Sequence, residues 1–257
     1  MVTRSIAIAL ACCVLTVAPA TAIVGSAPPS EGQGVARHLV LILGSRGNSC
    51  TGTAIARDLV LTAAHCVPPG ADYKIVEFDA AHRPTLKDVR SITRHPQFNL
   101  QTMLAHRATA DVALIKLPAP LPQKMLPAGL LMSDPGIGSE DRFIVAGYGV
   151  TVRGDGRTGG TARTAVLAAT GKPGNLQVRL IDPATLGERP GLGACSGDSG
   201  APAFREIEGK PLLMGVVSWS TGPGGSDGCG GMTGVTPLTL YRTWIINTAR
   251  QLGSALP

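Results

Sequence analysis

The chain is poor in charge, and it lacks the residue patterns that several common functions need. Charged residues make up 16% of its 257 positions against 44% hydrophobic, which excludes a disordered, self-repelling polymer and suits a folded core. Six cysteines include no C-x-x-C pair and five histidines no H-x-x-x-H pair, so the usual spacings of a zinc site are missing. No metal or cofactor is expected. Lys and Arg are nowhere clustered with aromatics, so the net charge of +6 reads as a solvated surface and not as a nucleic-acid footprint. The apolar run at 6–17 falls short of the roughly 20 residues that span a bilayer. Long helices are excluded too, because 33 Gly and 20 Pro punctuate the chain.

What is present begins with a leader. Arg4, the apolar run 6–17 and the small-residue site Ala20-Thr21-Ala22 have the form of a secretion signal over residues 1–22. Its removal would take Arg4, Cys12 and Cys13 and deliver the protein outside the cell, or to the periplasm of a host with an outer membrane, with no remaining tie to a membrane. Four cysteines then remain, Cys50, Cys66, Cys195 and Cys229, which permit three pairings in an oxidising compartment. Short apolar runs recur at 39–43, 59–62, 75–78, 112–117, 143–145, 177–181 and 212–218, broken by Gly, Pro and Asp, and read as strands of an all-β barrel or sandwich. The one helix expected is terminal, 241–252, with Trp244, Ile245, Thr248 and Leu252 on one face. The length fits one large domain or two small ones tightly joined. Pro118-Ala119-Pro120-Leu121-Pro122 has the composition of a semi-rigid connector.

Chemistry concentrates in Cys195-Ser196-Gly197-Asp198-Ser199-Gly200-Ala201-Pro202. A serine hydroxyl is a weak nucleophile at neutral pH and needs a base together with donors aimed at the oxyanion its attack creates. Gly197 and Gly200 allow a tight turn around Ser199, and the amides of Gly197 and Ser199 could converge on one point. A base is offered by Thr62-Ala63-Ala64-His65-Cys66, and an orienting carboxylate by Asp111 at the head of Val112-Ala113-Leu114-Ile115-Lys116-Leu117. These stretches resemble the motifs GDSGGP, TAAHC and DIALLKL of the chymotrypsin/trypsin family of serine endopeptidases. The order His, Asp, Ser separates this resemblance from subtilisins and from α/β-hydrolases. It covers nearly all of the chain after residue 22.

The resemblance implies two packed six-stranded antiparallel barrels and a C-terminal helix, the first barrel at 23–117, a connector at 118–127 and the second barrel with the helix at 128–257. It implies His65, Asp111 and Ser199 as the catalytic triad and the Gly197 and Ser199 amides as the oxyanion hole. It pairs Cys50 with Cys66 and Cys195 with Cys229. It also implies that an ammonium freed at Ile23, in Ile23-Val24-Gly25-Ser26, pairs with Asp198. No activation peptide is visible, so leader removal itself is expected to expose Ile23. Substrate would lie along Ser218-Trp219-Ser220 as an added strand. Gly193 stands where trypsin-like members carry an aspartate, which disfavours burying a substrate cation. Ser220 narrows one pocket wall and Gly234 is expected to leave the other open, for an aromatic or medium-sized aliphatic residue before the cleaved bond. Asp227 is the one acid near enough to disturb that pocket. Ala201 and Ser26 replace family glycines. The expected partners are protein or peptide substrates and a protein inhibitor, acting on a monomer. The alternative is a catalytically silent family member that binds a partner. His38, His82, His95 and His106 carry no assigned role and are expected to be surface or satisfied histidines. The flexible loop 151–161 contains Arg153-Gly154-Asp155, a tripeptide that receptors on animal cells can read but one of low information.

Overall fold

The computed structural model describes residues 23–25, 27–30, 32–79, 81, 83–105, 107–133, 136–170 and 176–257. The expected leader at 1–22, with Cys12 and Cys13, lies outside them, as do Ser26, His82 and His106.

Two antiparallel sheets carry the fold. The first is built from β1 (Leu39–Gly44), β2 (Ser49–Ala56), β3 (Leu59–Thr62), β4 (Tyr73–Phe78), β5 (Pro84–Asp88), β6 (Ser91–Arg94) and β7 (Ala113–Lys116), in the order β5-β4-β1-β2-β3-β7-β6. The second is a closed barrel of β8 (Arg142–Gly147), β9 (Arg163–Ala169), β10 (Val178–Ile181), β11 (Pro202–Ile207), β12 (Lys210–Ser220) and β13 (Met232–Pro237), in the order β10-β13-β12-β11-β8-β9. The six-stranded expectation holds for the second sheet, whereas the first has seven strands and stays open. Its two edges, β5 and β6, are consecutive in sequence and separated only by Val89 and Arg90, so the chain itself passes from one edge to the other. A bend there divides what would be one long strand: Arg90 N already donates to Lys116 O at 2.8 Å, while β5 pairs with β4.

Strand alternation decides where the core sits. Along β3 and β7, Leu59, Leu61 and Leu114 face the cluster between the sheets, with Phe204, Leu213, Val216 and Ile245. Their neighbours Val60, Ala113 and Ile115 face the interior of the first sheet with Val40, Ile42 and Ile75. Both faces of these strands are therefore covered, which is why they read as continuous apolar runs. The second barrel fills its own interior with Phe143, Val145, Leu167, Leu180, Met214 and Val235.

Two helices complete the fold among the described residues: α1 (Leu100–Leu104) and α2 (Arg242–Gln251). The first was not foreseen; Asn99 starts it by accepting a hydrogen bond from Thr102 N at 2.9 Å. The second buries Ile245, Thr248 and Ala249, with Trp244 and Leu252 packed beside them. Its end is tied to the first sheet through a buried lysine: Lys116 Nζ meets Asp58 at 2.5 Å and Ser254 Oγ at 2.8 Å, and Ser254 Oγ donates to Asp58 at 2.7 Å. Burial works against the Asp58 charge, yet the hydrogen bonds from Lys116 and Ser254 outweigh it and hold the carboxyl below its ordinary range. Between the sheets, Arg57 donates to the carbonyls of Leu121, Pro122 and Met125, so the proline-rich stretch is pinned along its length. No described helix is long and apolar enough to cross a membrane.

Candidate active site

β3 and β7 set the first half of the site. Their register pairs Thr62 with Ala113, so the turn that follows β3 and the residues that precede β7 must emerge side by side. The turn is a single 3-10 winding, Ala64–Cys66, and a disulfide joins Cys66 to Cys50 in β2. His65 Nδ1 and Asp111 Oδ2 are 2.7 Å apart, and the His65 amide donates to Asp111 Oδ1 at 2.9 Å. Asp111 is fully buried. A carboxylate can only accept, so Nδ1 carries the proton and Nε2 is left with a free lone pair. Ser218 Oγ donates a short hydrogen bond to Asp111 Oδ2. Its direction follows from a bulge: β12 pairs Val217 with Val235 and Trp219 with Gly234, leaving Ser218 as the extra residue. Burial raises the Asp111 carboxyl, but the hydrogen bonds from His65 and Ser218 outweigh it and hold it low. Tyr241 lies near enough that burial, and then the Asp111 charge, push its phenol up.

The second half is the turn before β11. Gly197 and Gly200 both adopt positive φ, 94° and 79°. At Gly200 a side chain is excluded outright, since a Cβ would stand 2.1 Å from Thr62 Oγ1 and 2.4 Å from Thr51 O. That closeness places the turn against the strands that carry His65. Thr51 N donates to Ser199 O at 2.9 Å, Thr51 Oγ1 donates to Gly197 O at 2.9 Å, and Cys66 Sγ lies 3.4 Å from Ser199 O. From the other side, Gly200 N donates to Val217 O at 2.7 Å and Val217 N to Ala201 O at 2.8 Å. The Asp198 and Ala201 amides are spent on Cys195 O and Asp198 O; those of Gly197 and Ser199 take no partner among the described residues. The Ser199 hydroxyl is likewise not bonded to the imidazole here, a hydrogen bond that in such sites often tightens only with substrate. Ala201 is fully buried in the barrel interior, so the methyl that replaces a family glycine is accommodated.

Asp198 is buried without a cation among the described residues. Its carboxylate accepts from Gly149 N at 2.8 Å and Cys195 N at 3.0 Å. Burial nevertheless pushes it up to about 6, against those two hydrogen bonds. The Ile23 side chain is wholly buried in the same interior as Ala194 and Ala201, and Val24 forms an antiparallel bridge with Gly193. Ile23 has φ of 42°, a left-handed conformation that is a genuine outlier for a β-branched residue.

A cleft of about 160 Å³ opens beside Ser199, lined also by Ser196, Val217, Trp219, Ser220, Arg153 and Asp227. A disulfide, Cys195–Cys229, braces it. Gly193 is packed against Gly230, where a Cβ would meet its Cα at 3.0 Å. Asp227 borders the cleft but offers it no free charge: its side chain is 86% exposed and pairs with Arg153 at 2.8 Å. Gly234 departs from expectation. Its wall is not open, because a Cβ there would stand 2.0 Å from Trp219 Cε2; the indole covers it.

His38 and His95 are buried. His38 Nδ1 is 2.7 Å from Leu126 O, and His95 packs edge-on to Tyr241 and Trp244 at 5.0 and 4.9 Å. Neither joins the site. In the tripeptide of the loop 151–161, Arg153 is engaged by Asp227 and Asp155 by Arg157. Thr51, which holds Gly197 and Ser199, and Arg153 at the cleft mouth were not singled out from the sequence as site residues. Thr51 carried one usable signal, its place directly after Cys50.

Residues 23–245 match the family described as Trypsin. The vitellin-degrading protease of Bombyx mori is 31% identical over 222 residues, covering 82% of this chain and 80% of the relative. Snake venom serine protease rhinocerase 4 of Bitis rhinoceros is 28% identical over 224 residues, 81% of each. Among solved structures, human heparin binding protein aligns with a TM-score of 0.68 over 87% of this chain and 96% of its own, at 23% identity, a likeness of fold. With the family match spanning almost all of the described residues, this chain belongs to the trypsin family of chymotrypsin-like serine proteases.

Proposed function

We propose that the protein is a secreted serine endopeptidase that cleaves peptide bonds through an acyl-enzyme. Ser199 attacks the carbonyl while His65 Nε2 takes its proton and later delivers it to the leaving amine. Asp111 fixes the imidazole tautomer and stabilises its charged form, with Ser218 holding the carboxylate in turn. The free Gly197 and Ser199 amides receive the oxyanion. Substrate proteins or peptides lie along the Ser218 to Ser220 backbone as an added strand. The residue before the cleaved bond is neutral and apolar, since Gly193 offers no countercharge.

Export removes residues 1–22 and frees the Ile23 ammonium, which pairs with Asp198. Two observations support this order of events. Asp198 is a buried carboxylate lacking a cation among the described residues, a costly state that an ammonium would relieve. The φ strain at Ile23 exists only while residue 22 remains bonded to it. Sequencing the amino terminus of the exported protein is expected to return Ile-Val-Gly-Ser.

The observation that carries the enzymatic reading is the buried Asp111 gripping His65 Nδ1 while the Ser199 turn is bonded to the same sheet through Thr51. A fluorophosphonate should label the wild-type protein on Ser199 and fail on Ser199→Ala. A silent binding protein is the rival, and it draws on the missing bond between Ser199 and His65. Absence of labelling on a protein that begins at Ile23 would favour it.

A further inference from the structure

Among the described hollows that line up with the site, the cleft beside Ser199 is where the side chain of the residue being acylated must go, because Ser199 itself forms part of its wall. A flat ring entering it needs a bare stretch of backbone to lie against. Gly234 would provide one, but the Trp219 indole already rests there, with Cε2 2.0 Å and Nε1 2.4 Å from where a Cβ of Gly234 would stand. The placement is set by the sheet. After the bulge at Ser218, Trp219 stands directly opposite Gly234 in the β12 and β13 ladder, where cross-strand side chains approach most closely. The Trp219 Nε1 is buried without a hydrogen-bond partner, so shape and not a polar anchor holds the ring.

From this we infer that Trp219 sets substrate size: the pocket takes the side chain of a small neutral residue, such as alanine or valine, before the cleaved bond, and excludes an aromatic one. The inference rests on the endopeptidase reading of the same site and narrows it. The remaining space of about 160 Å³ is about half of the roughly 300 Å³ at which small-molecule pockets begin, and the mouth between Arg153 and Asp227 takes part of it. Within, Ser196, Ser220 and Val217 suit a short side chain. Arg153 and Asp227 neutralise each other at 2.8 Å, so neither sign of substrate charge finds an unpaired counterion.

The test compares kcat/KM on tetrapeptide p-nitroanilides that differ only in a terminal Ala, Val, Leu or Phe, for the wild type, Trp219→Ala and Trp219→Val, each normalised to the sites labelled by a fluorophosphonate. The wild type is expected to prefer Ala to Phe at least about tenfold, and both variants to cut that ratio about tenfold or more. A wild type that cleaves Phe as fast as Ala, or variants that leave the ratio unchanged, would overturn the inference, since the ring would then swing aside for substrate. A second arm reads the pocket without turnover: p-cresol binding, followed by NMR, to Ser199→Ala and to Ser199→Ala combined with Trp219→Ala. Binding about tenfold tighter to the double variant supports the inference and equal binding defeats it. If Ser199 is not labelled at all, the endopeptidase reading fails and the p-cresol arm alone decides the size limit.

Discussion

The buried carboxylate of Asp198 gives the most direct test of the proposed pairing with the Ile23 ammonium. In the unfolded chain it ionises near its ordinary value of 3.8, and in the folded, unprocessed chain at about 6. The folded carboxyl therefore binds its proton more tightly than the unfolded one. Its contribution to stability is complete below the lower value and is lost as pH rises through the upper one. At roughly 1.4 kcal/mol per unit, this amounts to about 3 kcal/mol working against the folded state at neutral pH. A nearby ammonium would reverse the sign by holding the carboxylate charged. The comparison is between a chain that keeps Thr21 and Ala22 ahead of Ile23 and one that starts at Ile23. Urea midpoints from pH 4 to 8 should fall for the capped chain across this window and should not fall for the other. Asp198→Asn in the capped chain should flatten the curve by the same amount. Equal slopes in the capped and uncapped chains, or a slope that survives Asp198→Asn, would refute the pairing of Ile23 with Asp198.

Two further outcomes follow from contacts elsewhere. Asp111→Asn should leave the fold intact and lower kcat on the order of 10⁴-fold, a magnitude carried over from the general behaviour of a Ser-His-Asp triad, because a carboxamide can present its NH₂ to Nδ1 and favour the wrong tautomer; active-site titration with kcat measurement checks it. Lys116→Met should destabilise by about 2 kcal/mol, below the roughly 3–5 kcal/mol of a fully buried pair, because the Asp58 side chain keeps 28% of its surface exposed. Asp58 titrates low in the wild type, so its share of stability is present above the ordinary carboxyl range and lost on acidification; chemical denaturation at pH 7 and pH 3 should show Lys116→Met narrowing that difference.

β3 and β7, buried along their whole length, were legible in the sequence because burial makes them continuous apolar runs. β3 coincides with the run 59–62, and β1, β4, β7, β8, β10 and β12 each contain or overlap a run through their buried residues. β2 was not legible although it is almost wholly buried, because Ser-Cys-Thr-Gly-Thr-Ala-Ile-Ala fills a crowded centre with small and hydroxyl residues rather than large apolar ones. There Thr51 and Gly52 are needed small, since Gly52 faces Val60 Cγ1 at 2.6 Å from a would-be Cβ. β5 escaped for the opposite reason, being exposed along its whole length. In the site, the motifs drew attention to His65, Asp111 and Ser199, and the structure places the first two in hydrogen-bond contact. The state of the pocket was not legible, since the face that Trp219 turns toward Gly234 depends on a bulge one residue earlier, and a bulge shifts register without leaving a mark on composition.

That bulge also explains why two features of the site belong together. An unbroken β12 would alternate its side chains, sending Val217 and Trp219 to one face and Ser218 to the other. With Ser218 as the extra residue, its hydroxyl reaches across to Asp111, just ahead of β7 in the other sheet, and Trp219 is turned onto the backbone of Gly234. One local irregularity thus sets both the hydrogen bond behind His65 and the wall of the cleft beside Ser199. The same strand holds the nucleophile turn, through Val217 O and N to Gly200 and Ala201. Orientation of the base, position of the serine and size of the pocket are consequently coupled through four consecutive residues, 217–220. A substitution that removed the bulge would disturb all three at once, whereas exchanging the Trp219 side chain alone would change the pocket and leave the backbone that holds Ser199 and the hydroxyl that holds Asp111 in place.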